Sequence, residues 1–329
     1  MQIGFFGEVM CEHRVDGHGF GFGGDTLNTA LYLHRLSRQG GREDKISVHY
    51  FTKLGQDQHS DQLLQLLRTE GLAVQAAQDP DKSIGHYWID IDECGERSFR
   101  YQRHDSAARA YFADSPIGGK TALEQALSDG SLQALYLSGI SLAILTEVDR
   151  LRLYAAVKAF VERGGILIYD NNFRALLWSA ATAARWQRQL LPLCRLVLLT
   201  DSDERLIWQR PDADAAALSA AALSAAALAD GALSVVLKCG AAPCWLASRT
   251  ADGVALFQQV EAERVDTVVD SSGAGDAFAA GFLAHYLTLS PPFSPTDINA
   301  AARLGHQLAA SVVQQHGAIL APRQMPQLL

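Results

Sequence analysis

The residues best suited to chemistry lie in one short segment, Val268-Val269-Asp270-Ser271-Ser272-Gly273-Ala274-Gly275-Asp276-Ala277-Phe278. Small residues at 271–275 let a ligand approach the backbone closely, and the alanine-rich run after them starts a helix at that point. A helix N-terminus carries unpaired amides and the positive end of the dipole, so it can hold developing negative charge. Asp276 falls in the first turn of this helix. One reading makes it a dipole-favoured or capping carboxylate. The other makes it a base that takes a proton from a hydroxyl while the amides stabilise a transferring phosphoryl group, and a carboxylate beside an anion hole favours this second reading.

Two further glycine-rich segments compete as phosphate sites. Gly19-Phe20-Gly21-Phe22-Gly23-Gly24 satisfies G-x-G-x-x-G, with Glu43 or Asp44 about 20 residues on, where a dinucleotide fold places its ribose acid. That fingerprint should follow its strand directly, yet residues 8–18 separate it from the apolar run at 2–7, which counts against an NAD site. Asp114-Ser115-Pro116-Ile117-Gly118-Gly119-Lys120-Thr121 ends like a Walker A loop. Asp114 would repel phosphate and Pro116 removes an amide donor, so a connecting turn is expected there.

The elements that must position these residues alternate. Buried strands are expected at 2–7, 47–51, 134–137, 165–169, 196–199 and 233–238, and helices at 26–38, 60–69, 147–163 and 274–287. Such alternation predicts an α/β layered fold, a central mainly parallel sheet flanked by helices. Residues 84–103 break the pattern as two polar/apolar alternating arms around Glu93-Cys94-Gly95-Glu96, a hairpin with one exposed face. With the stretch at 8–20, the arms at 84–104 predict a small β-sheet lid over a single domain spanning residues 1–329. The alanine-dense segment 212–232, with Leu218, Leu223 and Leu228, reads as a surface helix rather than a linker.

The chain has 329 residues, 48% of them hydrophobic, and a formal net charge of -8. That charge gives no global attraction for nucleic acid or an anionic membrane. No apolar run approaches the roughly 20 residues of a membrane span, and a soluble cytoplasmic protein is expected. The five cysteines, Cys11, Cys94, Cys194, Cys239 and Cys244, form no Cys-x-x-Cys pair, so the spacing signals neither a disulfide framework nor a zinc site.

Taken together, the segments resemble a family. Asp270-Ser271-Ser272-Gly273-Ala274-Gly275-Asp276 is similar to the D-T-x-G-A-G-D signature of the ribokinase-like (PfkB) carbohydrate kinases, and Gly23-Gly24-Asp25-Thr26-Leu27-Asn28 to their G-G-x-x-x-N sugar-binding motif, about 250 residues upstream. Gly95-Glu96-Arg97-Ser98-Phe99-Arg100-Tyr101-Gln102-Arg103, residues 136–145, Asp170-Asn171-Asn172-Phe173-Arg174 with Trp178, and His316-Gly317-Ala318-Ile319 resemble the branch acting on 2-dehydro-3-deoxygluconate. The resemblance implies a ribokinase-like fold and transfer of the γ-phosphoryl of ATP to the 6-hydroxyl of that sugar acid.

It further implies Asp276 as general base and the amides of Gly273, Ala274 and Gly275 as the anion hole. Gly23, Gly24, Asn28, Tyr87, Tyr101, Arg103 and Arg174 would bind the substrate, the two arginines meeting its carboxylate. Asn172, Arg174, Lys238, Gly240, Gly273 and Gly275 would meet the nucleotide. Surface ion pairing is the alternative for either arginine, cross-strand packing for the tyrosines, helix capping for Asn28 and a strand end for Lys238. The family's N-x-x-E motif, which organises Mg2+ through water, reads Asp201-Ser202-Asp203-Glu204 here, so Glu204 is the metal candidate and the asparagine is replaced. ATP and magnesium are the expected cofactors, a monovalent cation is a further candidate, and a homodimer covering the lid is the expected assembly. Rival readings are a PfkB kinase of a neutral sugar (fructokinase or ribokinase type), a nicotinamide-dependent oxidoreductase, and a catalytically silent sugar-sensing module.

Overall fold

Alternation of apolar residues that face opposite ways sorts the strands into one sheet with a core on each side. The computed structural model describes residues 1–14, 20–39, 45–91, 97–113, 119–225, 234–249, 255–290 and 293–329. The first half of the chain forms β1 (Gln2–Phe6), β2 (Met10–Arg14), β3 (Phe20–Gly23), α1 (Asp25–Ser37), β4 (Ser47–Gly55), α2 (Gln58–Glu70), β5 (Ala73–Asp79), β6 (Gly85–Ile91) and β7 (Arg97–Gln102). After these come α3 (Ala122–Asp129), β8 (Ala134–Ser138), α4 (Gly139–Ala143), α5 (Glu147–Glu162), β9 (Ile166–Asp170), α6 (Ala180–Leu190), β10 (Cys194–Thr200) and α7 (Asp201–Trp208). The remainder is α8 (Ala215–Ala225), β11 (Ser234–Lys238), β12 (Cys244–Arg249), β13 (Ala255–Val260), α9 (Ala274–Tyr286) and α10 (Pro295–Val313).

The large sheet has nine strands in the order β13-β12-β11-β10-β9-β8-β1-β4-β5. It is parallel from β5 to β11 and antiparallel only at the β11-β12-β13 edge. On β1, Ile3 and Phe5 join one core while Phe6 joins the other; on β10, Leu196 and Leu198 oppose Val197 and Leu199. The first core packs α1, α9 and α10, and the second packs α5 and α6. Each fully buried large apolar side chain contributes roughly 1.5–3 kcal/mol, so register is strongly specified on both faces.

The contact between α9 and α10 is made by glycine. A Cβ at Gly281 would lie 2.6 Å from the Leu304 carbonyl oxygen, and one at Gly305 would lie 2.8 Å from that of Phe278. These helix backbones therefore touch directly, which fixes the depth at which the first turn of α9 sits.

The six expected strands and four expected helices are present, although β1 stops at Phe6 and β4 runs on to Gly55. The small sheet is also present, ordered β3-β2-β6-β7, and its β6-β7 arms pair Tyr87 with Tyr101. Sequence patterning passed over β5, the β12-β13 hairpin, α3, α4, α6, α7 and α10. The alanine-rich helix is seen over Ala215–Ala225, with Leu218 buried. Gly19, Glu43, Asp44, residues 114–118 of the Walker-like stretch, the turn at Glu93–Glu96 with Cys94, Leu228 and Leu233 lie outside the described residues.

One alternative is corrected by the topology. Gly21 and Gly23 of the dinucleotide-like fingerprint are strand residues of β3, paired with Glu12 and Met10 of β2. A dinucleotide loop needs those glycines in a tight turn joining the first strand to its helix. Among the described residues, no helix is long and apolar enough to cross a membrane.

Candidate active site

In open parallel sheets ligands collect outside the carboxyl ends of the strands, and the chemistry-bearing side chains gather there. Asp170 closes β9, Lys238 closes β11, and Glu8 follows β1. The N-termini of α1 and α9 open onto the same end. Between them and the small sheet lies a cavity of about 810 Å³. Gly24, Asn28, Tyr87, Tyr101, Arg103, Arg174, Gly273 and Asp276, scattered over some 250 positions of sequence, all line it.

Helix α9 starts where the sequence reading placed it. Its N-cap Gly273 takes φ 72°, a left-handed conformation open to glycine, and a Cβ there would also meet Ala318 at 2.8 Å. Asp270, buried, accepts the amides of Ser272 at 2.9 Å and Gly317 at 2.8 Å, tying the loop to the segment containing Ala318. Tyr32 holds the other side of that segment, donating to the Ala318 carbonyl at 2.9 Å and accepting the Leu320 amide at 2.8 Å. The Ala274 amide is turned to the Ser271 carbonyl at 3.3 Å, and the Ala277 amide to the Gly273 carbonyl at 2.8 Å. The helix leaves its remaining first-turn amides without intrahelical partners.

Asp276 is half-buried and accepts from Asn28 Nδ2 at 2.8 Å. Burial, then the charge of Asp25 and more weakly that of Asp170, push its carboxyl up to about 7, against the opposing pull of Asn28 and Lys238. A carboxylate poised near neutrality suits a general base. Because the ionised form must accept the proton, kcat/KM should fall as pH drops through about 7. Asp25→Asn removes a neighbouring charge, so this acid limb is expected to move to lower pH. A pH–rate profile of the two proteins checks this, and an unmoved or alkaline-shifted limb would refute the assignment.

Other expected residues take distinct places. Asn28 is 4% exposed, and its Oδ1 has no partner among the described residues, leaving an acceptor for a ligand hydroxyl. Gly23 and Gly24 owe their size to close packing within the protein: a Cβ at Gly24 would sit 2.4 Å from the Glu8 carbonyl oxygen, and one at Gly23 would sit 2.8 Å from Tyr87 Oη. Tyr87 donates to Glu12 and stacks on Tyr101 with ring centroids 6.0 Å apart. Asn172, at φ 21°, donates to Asp25 at 2.7 Å. Lys238 pairs with Asp170 at 2.7 Å, and its ammonium lies 3.6 Å from where a Cβ on Gly275 would be. Gly240 is an exposed turn residue at φ 62° just beyond β11.

The two arginines differ. Arg103 is ion-paired with Glu8, which also accepts from Ser106; Glu8 is buried and Arg103 half-buried, its side chain 10% exposed. Its Nε has no partner among the described residues. Arg174 is exposed on the cavity wall and donates to the carbonyl of Phe173 at 2.8 Å.

Glu204 lies in the protein interior. It is 2% exposed, and its carboxylate is taken up by Asn171 at 3.0 Å, Gln187 at 2.7 Å and Trp208 at 2.8 Å. Burial raises its pKa. Its surroundings make it a holder of Asn171, which in turn bonds the backbone of Thr200. Asp201, in place of the motif asparagine, pairs with Arg205 at 2.5 Å.

Sequence reasoning passed over Glu8, Asp25 and Arg109. Asp25 and Arg109 line the cavity, and Glu8 anchors Arg103. Glu8 and Asp25 carried a usable signal, since one follows the first strand and the other stands inside Gly23-Gly24-Asp25; Arg109 carried none.

Residues 6–325 match the model of the pfkB family carbohydrate kinases. The chain belongs to this family. It is 35% identical to the 2-dehydro-3-deoxygluconokinase of Dickeya dadantii, covering 99% of this chain and 98% of that one. It is 33% identical to the enzyme of that name from Haemophilus influenzae, over 97% and 95% of the two chains. Among solved structures, fructokinase with bound ATP from Xylella fastidiosa superposes with a TM-score of 0.77 at 23% identity, over 99% and 95% of the chains. The 2-dehydro-3-deoxygluconokinase of Thermotoga maritima gives 0.70 at 19%, over 97% and 94%. These superpositions establish the ribokinase-like fold of this carbohydrate kinase.

Proposed function

We propose that this kinase transfers the γ-phosphoryl group of ATP to the 6-hydroxyl of 2-dehydro-3-deoxy-D-gluconate, giving 2-dehydro-3-deoxy-6-phosphogluconate and ADP. The observation that carries the reading is one cavity joining a near-neutral carboxyl at a helix N-terminus to the cationic side chains of Arg103, Arg109 and Arg174. On a chain of net charge -8, such a cluster suits a substrate that carries its own carboxylate. The names of the full-length relatives support the same substrate.

In this reaction Asp276 takes the proton of the 6-hydroxyl as its oxygen bonds to the γ-phosphorus. The bond from that phosphorus to the bridging β-oxygen breaks, ADP leaves, and Asp276 later returns the proton to solvent. Asn28 Oδ1 accepts a sugar hydroxyl, and Asn28 Nδ2 keeps the Asp276 carboxylate aimed. The amides of Gly273 and Gly275 at the start of α9 meet the transferring phosphoryl, that of Ala274 being held by the Ser271 carbonyl, and Lys238 stands beside them. Asn172, Arg174 and Gly240 complete the nucleotide side in this reading. The small sheet acts as the lid that excludes water, bringing Tyr87 and Tyr101 onto the sugar acid.

Magnesium suits the oxygen donors at this end of the sheet. Asp25 lines the cavity, and Asp170 Oδ1 is buried without a partner among the described residues. When bound with ATP, the ion neutralises phosphate charge. A cytoplasmic homodimer, its second copy resting on the lid where Phe20 is 44% exposed, belongs to the same reading, and a monovalent cation stands as a further candidate.

The test is ADP release from ATP and magnesium with 2-dehydro-3-deoxygluconate, fructose, ribose and adenosine in parallel. Turnover with the keto acid alone is expected. Turnover confined to a neutral sugar would keep the kinase and overturn the acidic substrate.

A further inference from the structure

The two faces of the small sheet carry different chemistry. Side chains alternate along a strand, so Glu12 and Tyr87 turn to the cavity while Cys11, His13 and His86 share the opposite face. The parallel register of β2 and β6 sets Cys11 against His86 and His13 against Trp88. His13 Nε2 and His86 Nδ1 approach to 2.8 Å, and one ligand atom from each of Cys11, His13 and His86 lies within 4.8 Å of the others. Among the described residues this is the only such group of three metal-ligating side chains.

We propose that Cys11, His13 and His86 form a binding site for a divalent cation of the zinc class on the back of the small sheet. Tetrahedral zinc binds imidazole nitrogen at about 2.0–2.1 Å and thiolate at about 2.3 Å, which places neighbouring ligand atoms about 3.4–3.6 Å apart. Gathering the three atoms to that spacing takes side-chain shifts of about 1 Å. The fourth position falls to water or to His59, whose ring stands edge-on to both others, with centroids 5.8 Å from His13 and 5.2 Å from His86. Trp88 stacks on His13 at 4.9 Å and steadies its plane.

Protonation states agree with the geometry. Burial, with mutual repulsion among the rings, lowers the pKa of His13 and His86, so both are neutral with a lone pair to give. Burial, together with Asp57 and Glu12, pushes the Cys11 thiol up to about 12. Binding therefore releases the Cys11 proton to solvent as the sulfur–metal bond forms, and the nearby carboxylates that oppose a bare thiolate favour a dication in its place. The proton shared by the two imidazoles moves to the outer nitrogen of the ring that carries it. His59 belongs to α2, so an ion held here would join the small sheet to a helix of the main body.

The test is a cobalt titration of the whole, chelator-treated protein, followed by zinc competition. The expected result is one equivalent bound, with a thiolate-to-cobalt charge-transfer band that zinc abolishes. Cys11→Ser should lose that band, and His86→Gln should weaken zinc binding at least about tenfold. His13→Asn, at a partly exposed position, gives a third variant that leaves the buried thiol in place. Absence of the band from the unaltered protein, or binding untouched by all three substitutions, would overturn the site.

Discussion

Asp276→Asn is expected to lower kcat for phosphoryl transfer by about 10²–10⁴-fold, the range of a positioned general base, while ATP still binds. The side chain keeps its size and can still meet Asn28, so packing at the start of α9 survives and the loss reports the missing base. The same substitution should also stabilise the fold above neutral pH. The carboxyl of Asp276 is raised to about 7 in the folded protein, whereas in the unfolded chain it titrates near the ordinary value of about 4. Its contribution is therefore most favourable at low pH and is lost as pH rises between these values, so the native carboxylate is a liability at pH 8. The asparagine variant should unfold at a higher temperature than the parent at pH 8, with the difference shrinking toward pH 4. Retained turnover, or a variant less stable at pH 8 than at pH 4 relative to the parent, would contradict the assignment. Both outcomes follow from one physical cause: the pocket holds a charge where burial and two neighbouring carboxylates disfavour it.

Removing Arg103 should have the largest effect on stability. Arg103→Met leaves Glu8, 1% exposed, as a buried charge with Ser106 as its one remaining donor among the described residues. Breaking one partner of a buried pair costs about 3–5 kcal/mol, because the survivor keeps its desolvation penalty without compensation. Glu8→Gln combined with Arg103→Met removes both charges and keeps a partner for Ser106, so the double variant should recover most of that loss. Urea unfolding of the two singles and the double forms the cycle, and a cost below about 1 kcal/mol for Arg103→Met would show that the pair is not effectively buried. The refolded double variant should still handle the keto acid poorly if, as proposed, the guanidinium donors not taken by Glu8 meet the substrate carboxylate. Activity toward an acidic substrate that returns with stability would separate Arg103 from substrate recognition.

The layered α/β fold and the start of α9 were legible in the sequence because both depend on local rules. Alternating apolar residues choose a buried face, and Ser271 to Gly275 ahead of an alanine-rich run can only open a helix. The β12-β13 edge and β5 were not legible, since half-polar strands such as Ala73–Asp79 take their identity from the strand beside them. The motif residues Asn28 and Asp276 were legible as candidates, but their 2.8 Å contact belongs to the fold: it exists because α9 lies against α1 and, through Gly281 and Gly305, against α10. Arg103 read as a clamp for the substrate carboxylate or as a surface ion pair, and its pairing with the buried Glu8 emerged only when the small sheet met the end of β1. Glu204 read as a metal candidate acting through water, and its direct partners, Gln187, Asn171 and Trp208, were visible only once α6 packed against α7. Cysteine spacing held no sign of a metal site, because Cys11 and His86 are neighbours through strand register and stand 75 positions apart in the chain. Local chemistry determined which residues were able to act; burial, register and helix contact decided their charge, partners and aim.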